Sequence, residues 1–566
     1  MELGTRGWPG VVPRPVKAAR IWDRKWFIQQ LNNVAAPAPS ELDMSLGMGL
    51  NDEVLLHIML VAAQNRERLT VCTLSRTCRT LYIHGSKFAL FGTVYLRENS
   101  SISSFSNFML SPTKASTFPY LRDRVYIWMR APPVEMPDHV AHPFVDVLNR
   151  STHLRILHIR DLDSFLDSHP DLCTALSSLP ALQDLLVDIG RYIKRHRHIA
   201  KFFQALRCPL IYLRLEFFKT EHGKRVEYRR EADPVWLFAG VAPTLEHVAL
   251  RGTFQLGTTR IYPRMRKCHV DAMPNPFLRP FIASFPVLRV LVSVPAPGLG
   301  LHHDQKGFII DRNVNPSVWD TSVDENVPKW EGFREANRND LVANGCWESL
   351  DTLIANSLIA YTFALTCHID RVHLLLQLDQ NDRTVIMVAH VLRDAHPRCL
   401  RLAFYMIDVE LVIYMLDVLV HIRYYLLDLE LRLNISEDNF DFGKFLEQVA
   451  TALKLSNITS LRVEFVCFKG EFFDPTEMQT RDCLERKRQD ILDYCVTKAA
   501  LECADIPEII GHFTALNERL RRVEIAWSSC HFDYGLERGI GVDLDVGPEA
   551  YDVPCEDYPD DWDAAW

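Results

Sequence analysis

Leu154-Arg155-Ile156-Leu157-His158-Ile159, Leu182-Gln183-Asp184-Leu185-Leu186-Val187 and Leu210-Ile211-Tyr212-Leu213-Arg214-Leu215 are one motif, repeated at intervals of 28 and 28 residues. Its last residues alternate apolar with variable positions, which is the period of a strand with one face buried. The motif returns at Leu245/Val248/Leu250, Leu426/Leu429/Leu431, Ile458/Leu461/Val463 and Leu520/Val523/Ile525. Weaker copies stand at Met265/Cys268/Val270 and Leu288/Leu291/Ser293. The intervals after the third copy are 35, 20 and 23 residues, so the period is irregular. Helical periods fill the gaps: Asp163 to Ser178, Ile199 to Leu206, Phe277 to Phe285, Val385 to Leu392, Phe440 to Leu453 and Ile506 to Leu520. A helix is also expected at Ser103 to Leu110, and a strand entry at Phe118 to Met129. The fold class is therefore α/β. One such unit cannot bury its apolar face alone, so the units are expected to stack into a solenoid. Helix–strand alternation also predicts a generic α/β protein with a parallel sheet. The shared motif, with no Gly-rich phosphate loop beside it, favours the solenoid.

Ahead of the array lies Leu50 to Leu96. Apolar residues at 50, 54, 55, 58, 59 and 62 keep a helical period. Asn51 or Asp52 can cap the first turn, because a short side-chain oxygen accepts a free backbone N–H there. After the polar break Gln64-Asn65-Arg66-Glu67-Arg68, the period resumes through Leu74, Cys78, Leu81 and Tyr82. Two or three short helices in so little chain bury their own apolar faces poorly. Some of that surface is expected to serve a partner; the bland alternative is a helical hairpin inside a larger helical domain.

This stretch resembles an F-box. Leu50, Glu53, Val54, Leu55, Ile58, Leu74, Thr77, Cys78, Arg79 and Leu81 carry the match. Asn51 stands where the family usually has proline, and Leu81 where many members have tryptophan. The array behind it resembles the leucine-rich repeats often found after an F-box, in a divergent form like that of many fungal F-box proteins. Its first intervals fall within that family's 20–29 residues. It departs in having no Asn or Cys ladder after the strand, where Leu162, Gly190 and Phe218 stand instead. The resemblance implies a short all-helical F-box at 50–96 and a leucine-rich-repeat-like α/β solenoid at 97–537.

Composition narrows the classes. The 566 residues are 48% hydrophobic and 24% charged, ample for a large core. The net charge is −9, but Gly541 to Trp566 holds nine acids and no Lys or Arg. The rest is near neutral, which argues against general nucleic-acid binding. Fourteen cysteines without a C-x-x-C pair, among them Cys72, Cys208, Cys399 and Cys467 in apolar segments, suit reduced thiols in an intracellular protein, cytoplasmic or nuclear. No secretory signal stands in the first forty residues. The best membrane candidate, Val409 to Leu427, is broken by Glu410, Asp417, His421 and Arg423, so it reads as a buried helix running into a strand.

Pro and Gly make residues 1–49 a flexible leader, although Ile21 to Leu31 has the pattern of one amphipathic helix. Residues 295–346, rich in Pro, Gly, Asn and Asp, read as a long loop, either a binding loop or one the solenoid tolerates. Lys469 to Cys503 reads as an exposed helix. Residues 538–566 read as a disordered acidic tail.

No catalytic motif stands out: there is no P-loop, dinucleotide fingerprint, H-E-x-x-H or G-x-S-x-G. No catalytic residue, metal ligand or cofactor is expected. Asp161-Leu162-Asp163 reads as a solvated turn, His302-His303-Asp304 as an ordinary loop, and Cys78 as a small packed side chain. Two basic runs, Arg191 to His198 and His222 to Arg230, follow repeat strands. Arg195, Arg197, Lys224, Arg225, Arg229 and Arg230 are the candidates for holding an acidic or phosphorylated partner; solvated loop charge is the alternative.

What the resemblance implies is a non-catalytic substrate receptor of a cullin-based ubiquitin ligase. Leu50, Val54, Leu55, Ile58, Leu74, Cys78 and Leu81 would form the face toward a Skp-type adaptor, or the packing beneath it. The repeats would hold a target protein, with no nucleic acid or membrane involved. The alternative is a repeat scaffold with no ubiquitin role, whose first helices merely cap the array and bury Val54, Leu55 and Ile58. An enzyme on a divergent α/β domain is the third reading, and no converging acid, base or nucleophile supports it.

Overall fold

A computed structural model describes residues 52–552, apart from 66, 92, 112–117, 122–123, 128–135, 161, 163–164, 167–168, 190–195, 218–232, 252–259, 271–276, 294–301, 305–306, 310–322, 377–381, 406–411, 413, 417, 420–424, 436–441, 455, 468–502, 530–537 and 544–546. The leader and the expected helix at 469–503 lie outside the described residues, except for Cys503.

Three short helices open the described chain: α1 (Asp52–Gln64), α2 (Arg68–Leu74) and α3 (Arg79–Gly85). A 3-10 turn, Ser86–Leu90, leads from them into β1 (Thr93–Leu96). Then α4 (Asn99–Leu110), β2 (Arg124–Ile127), α5 (Asp138–Arg150), β3 (Ile156–Arg160), α6 (Pro170–Ser177), β4 (Asp184–Ile189), α7 (His196–Ala205) and β5 (Tyr212–Phe217) alternate. After α8 (Pro234–Leu237) come β6 (His247–Arg251), β7 (Lys267–Val270), α9 (Arg279–Ser284) and β8 (Val290–Ser293). The hairpin β9 (His302–Asp304) and β10 (Gly307–Ile309) and the long helix α10 (Val323–Asn344) precede β11 (Ser349–Asn356). The remainder is α11 (Ser357–Phe363), β12 (His368–Leu376), α12 (Asp382–Ala395), β13 (Cys399–Tyr405), β14 (Asp428–Ile435), α13 (Phe442–Lys454), β15 (Ser460–Cys467), α14 (Ile506–Leu516), β16 (Arg522–Ser529), β17 (Arg538–Asp543) and β18 (Gly547–Asp552).

Among the described residues, the strands form one 16-stranded sheet in chain order, with β9 and β10 as a separate pair. Fourteen of them, β1–β8 and β11–β16, run parallel; β17 and β18 close the end antiparallel. The register is that of the sequence motif. Its middle residue falls in one row: Leu157, Leu185, Leu213, Val248, Cys268 and Leu291 pair in succession. Leu429, Leu461 and Val523 continue the row at the far end. Strands β11, β12 and β13 join the two parts with the copies Leu350/Leu353/Ala355, Ile369/Val372/Leu374 and Pro397/Leu400/Leu402. These copies escape a leucine-based search because Ala, Ile, Val and Pro hold key positions.

Apolar residues on one side of the parallel strands pack with the helices into one continuous core, from Leu90 to Trp527. Residues of the opposite parity face away from those helices. Among the described residues, backbone carbonyls link one unit to the next. The carbonyl of Arg155 accepts the N–H groups of Gln183 and Asp184 at 2.8 and 2.9 Å. Gln183 does the same for Ile211 and Tyr212, and Ile211 for Glu246 and His247. Glu246, Arg266, Arg289, Arg398, Leu427 and Thr459 repeat the pattern. Each unit thus satisfies polar groups that would otherwise be buried unpaired.

Local chemistry sets several helix starts. Asn356 accepts the Ile359 N–H at 2.7 Å to open α11, and Asp505 accepts that of Glu508 at 3.0 Å to open α14. These are N-caps, which occupy the donors that a helix leaves free at its start.

Three expectations are corrected. Residues 295–346 are not one long loop: they hold the β9–β10 hairpin and the 22-residue α10. The His302-His303-Asp304 run is a hairpin strand rather than a loop. The acidic end is not wholly disordered, because β17 and β18 extend the sheet through Asp552. An edge offering unpaired N–H and C=O groups recruits strands even from acidic sequence. Among the described residues, no helix is long and apolar enough to cross a membrane.

Candidate functional site

The helices α1–α3 carry a small core of their own, separate from the main one. Met59, Ala62, Ala63, Val71, Leu81 and Phe88 are buried in it, with Leu55, Leu56, Leu60 and Leu74 packed partly against it. Gly85 lies directly against the end of Met59, so α3 and α1 approach closely. Aromatic and polar contacts join the unit to Tyr120, in the turn ahead of β2. Phe91 stacks on Phe88 and on Tyr120, with centroids 5.8 and 6.2 Å apart. The Lys87 ammonium donates to the Tyr120 hydroxyl at 3.3 Å and lies 4.9 Å from its ring.

The other side of α1 is open. Val54, Ile58 and Val61 expose 45%, 40% and 40% of their surface. Their spacing puts all three on one stripe of the helix.

The seven residues expected at the adaptor face divide. Val54 and Ile58 are exposed; Leu55 and Leu74 are half-buried on the small core; Leu81 is fully buried beneath. Leu50 lies outside the described residues. Cys78 is corrected: it is not packed but exposed, and its Sγ accepts the Leu81 N–H at 3.5 Å, capping α3. Val61 was missed, although it continues the same helical spacing.

Of the basic candidates, Arg197 sits inside α7, not in a loop, because that helix begins at His196. Arg195, Lys224, Arg225, Arg229 and Arg230 lie outside the described residues.

The sheet face turned away from the helices carries a charged ladder that the motif search passed over. Its register runs His373, Arg401, Glu430, Arg462, Glu524 across β12–β16. Arg401 reaches Glu430 at 3.2 Å and Glu464 at 3.7 Å; Arg462 reaches Glu430 at 3.8 Å and Glu524 at 3.7 Å. Arg432 stands 3.8 Å from Glu464, and Arg522 pairs with Glu524. Glu464 and Glu524 are buried. Burial pushes the Glu430 carboxyl up, against the pull of Arg401 and Arg462. It lowers the His373 imidazole to about 3, helped by Arg401 and Arg371. The signal was present as alternation in Leu429-Glu430-Leu431-Arg432-Leu433 and Leu461-Arg462-Val463-Glu464-Phe465.

At the first strands the same face is aromatic. Tyr95 and Tyr126 lie 5.4 Å apart, and Tyr126 meets His158 edge-on at 4.2 Å. Asp188 binds Arg160 at 3.0 Å and stands 3.8 Å from His158. Burial lowers the His158 imidazole despite the Asp188 carboxylate. Between the two ends, Val292, Leu375 and Ala403 form a small apolar cluster with Val290 and Ile354. Among the described residues, no group of three or more His, Cys, Asp or Glu is placed to hold a metal ion.

No family model matches the chain, and no curated protein matches it.

Proposed function

We propose that this chain is the substrate-recognition subunit of a Skp–cullin–F-box ubiquitin ligase. Helices α1–α3 dock on a Skp-type adaptor, and through it on a cullin. The sheet is a divergent leucine-rich-repeat-like solenoid whose face away from the helices holds a target protein. Such a subunit forms no bond itself; it raises the effective concentration of target lysines near a thioester made elsewhere. One observation carries the reading. Val54 and Ile58 remain at the surface while their helix has a core of its own. A helical cap on the array would have buried that face.

The test is co-purification of the full chain with a Skp-type adaptor, beside the double variant Val54→Asp/Ile58→Asp. Both positions are exposed, so charge there leaves the small core intact. Truncating apolar anchors of an interface costs about 2 kcal/mol or more, roughly 30-fold in affinity. Wild-type binding lost in the variant supports the reading; binding that survives the variant removes this stripe from the interface. A folded wild-type chain with no affinity for the adaptor returns weight to a scaffold with no ubiquitin role. That second reading draws on the Phe91–Tyr120 and Lys87–Tyr120 contacts, which join the helical unit to the turn ahead of β2 as a cap would be joined.

A further inference from the structure

The residue just ahead of the strand motif carries a ring in three successive units. His368 precedes Ile369, His396 precedes Pro397 and Tyr425 precedes Leu426. Ser349 and Asn457 hold that place in the units on either side. The residue just after the motif's first position is Arg398 in the middle unit and Leu427 in the next. Backbone bonds between units fix both. The Arg398 N–H donates to the Asp370 carbonyl at 3.0 Å, and the Arg398 carbonyl accepts the Leu427 and Asp428 N–H groups at 2.9 and 3.1 Å. His368, His396, Arg398, Tyr425 and Leu427 line an open cleft of about 570 Å³ where β12, β13 and β14 begin.

His396 takes the left-handed backbone conformation, at φ 49°, as the chain leaves α12. Gly345 and Ala364 make the same turn after α10 and α11 with little or no side chain. After α12 the turn brings an imidazole instead, which meets the Tyr425 ring edge-on at 4.8 Å. Tyr425 still exposes 52% of its surface, and His368, His396 and Arg398 are exposed as well.

We propose that this cleft binds an aryl phosphate monoester, with the phosphate held by Arg398, His368 and His396 and the aromatic ring laid against Tyr425 and Leu427. A guanidinium pairs with phosphate through two parallel N–H bonds. A phosphate monoester has three strong acceptor oxygens, so the two imidazoles find partners beside the guanidinium. A carboxylate would be satisfied by Arg398 alone. The cleft is as large as small-molecule sites are, and larger than inorganic phosphate fills. The exposed Tyr425 ring supplies the stacking surface. One carboxylate competes: Asp370 stands 3.9 Å from Arg398 and 3.8 Å from Arg371. Both arginines are largely exposed, so these pairs are weak and an arriving phosphate takes Arg398 while Asp370 keeps Arg371.

This proposal is independent of any ubiquitin role. The test titrates the full chain with phenyl phosphate by isothermal calorimetry, beside inorganic phosphate and benzoate. Phenyl phosphate is expected to bind more tightly than either. Arg398→Ala should weaken it roughly tenfold or more, the worth of a charge-assisted hydrogen bond. Asp370→Asn should strengthen it, because an opposing charge leaves the cleft; a purely structural Asp370–Arg398 pair would give no such gain. Tyr425→Ala should bring phenyl phosphate down to the affinity of inorganic phosphate. Circular dichroism verifies that the variants fold. A phosphotyrosine tripeptide that binds as tightly as phenyl phosphate places the ligand on a protein, and a weaker one places it on a free small molecule. No binding of phenyl phosphate by the folded wild-type chain overturns the proposal. So does binding that Arg398→Ala leaves unchanged, or benzoate bound as tightly as phenyl phosphate.

Discussion

Removing Asp394 should destabilise this protein far more than removing its partner and Asp394 together. Arg334 is 7% exposed and comes from α10, the helix inserted between β8 and β11. Its guanidinium donates to Asp394 Oδ2 on α12 and to the Tyr361 carbonyl on α11, each at 2.5 Å. It also lies 4.4 Å from the Tyr361 ring centroid. One turn on, Asn337 donates to the Thr362 carbonyl at 2.8 Å and accepts the Leu278 N–H at 3.2 Å. The inserted helix is thus pinned by a charge that has left water. In Asp394→Ala the guanidinium keeps only a carbonyl and a ring, and breaking a buried pair from one side costs about 3–5 kcal/mol. Arg334→Met keeps the aliphatic packing and leaves Asp394 with Arg393, 3.6 Å away, so about 1–3 kcal/mol is expected there. With both groups gone no charge is stranded, and the double variant should be more stable than Asp394→Ala by about 2 kcal/mol or more. Urea midpoints at unchanged slope, read by circular dichroism, provide the comparison. A double variant that costs the sum of the two singles would refute the reasoning, as would an Asp394→Ala midpoint equal to wild type.

Other perturbations test other links. Asn517 is buried and donates to the Leu453 and Ile458 carbonyls at 3.1 and 3.2 Å, so Asn517→Ala should cost about 2–4 kcal/mol in urea unfolding. In Gly85→Ala the new methyl would overlap the terminal methyl of buried Met59 and lie 2.6 Å from its sulfur. A loss of about 1–3 kcal/mol, visible as faster amide exchange in α1 and α3 with the sheet unchanged, is expected. His373, lowered from 6.5 to about 3, is neutral in both states at pH 7. Between pH 6.5 and 3 the unfolded chain takes up a proton that the folded one refuses, so stability falls by at most about 1.4 kcal/mol per pH unit from this group. Glu430, raised in the fold, contributes the opposite slope on acidification. His373→Phe should flatten the acid limb of the urea midpoint against pH; an unchanged limb would count against the buried neutral imidazole.

Much of the architecture was legible in the chain. The strand copies from Leu154 to Ser293 and from Leu426 to Ile525 fall in one register row, because a period of two with one buried face leaves no freedom to slip. The helix of Val54 and Ile58 was legible for the same reason at a period of 3.6. Residues 295–346 misled because their polar composition describes a long helix as well as a loop, and α10 is held by Trp330 and Leu341 in the interior together with the hydrogen bonds of Arg334 and Asn337. The acidic end misled because charge predicts solvation, whereas an open sheet edge offers hydrogen bonds to any nearby strand.

The sequence by itself determined the α/β class, the strand register and the helical start, since these rest on local periodicity. Tertiary structure alone decided which apolar residues stay at the surface. Leu81 and Val54 carry the same kind of side chain signal, yet one is fully buried and the other 45% exposed. Tertiary structure also decided that Arg401, Glu430, Arg462 and Glu524 form one ladder, although 28 or more residues separate each from the next along the chain. Periodicity says that a face exists; only the packing of distant segments decides what lies against it.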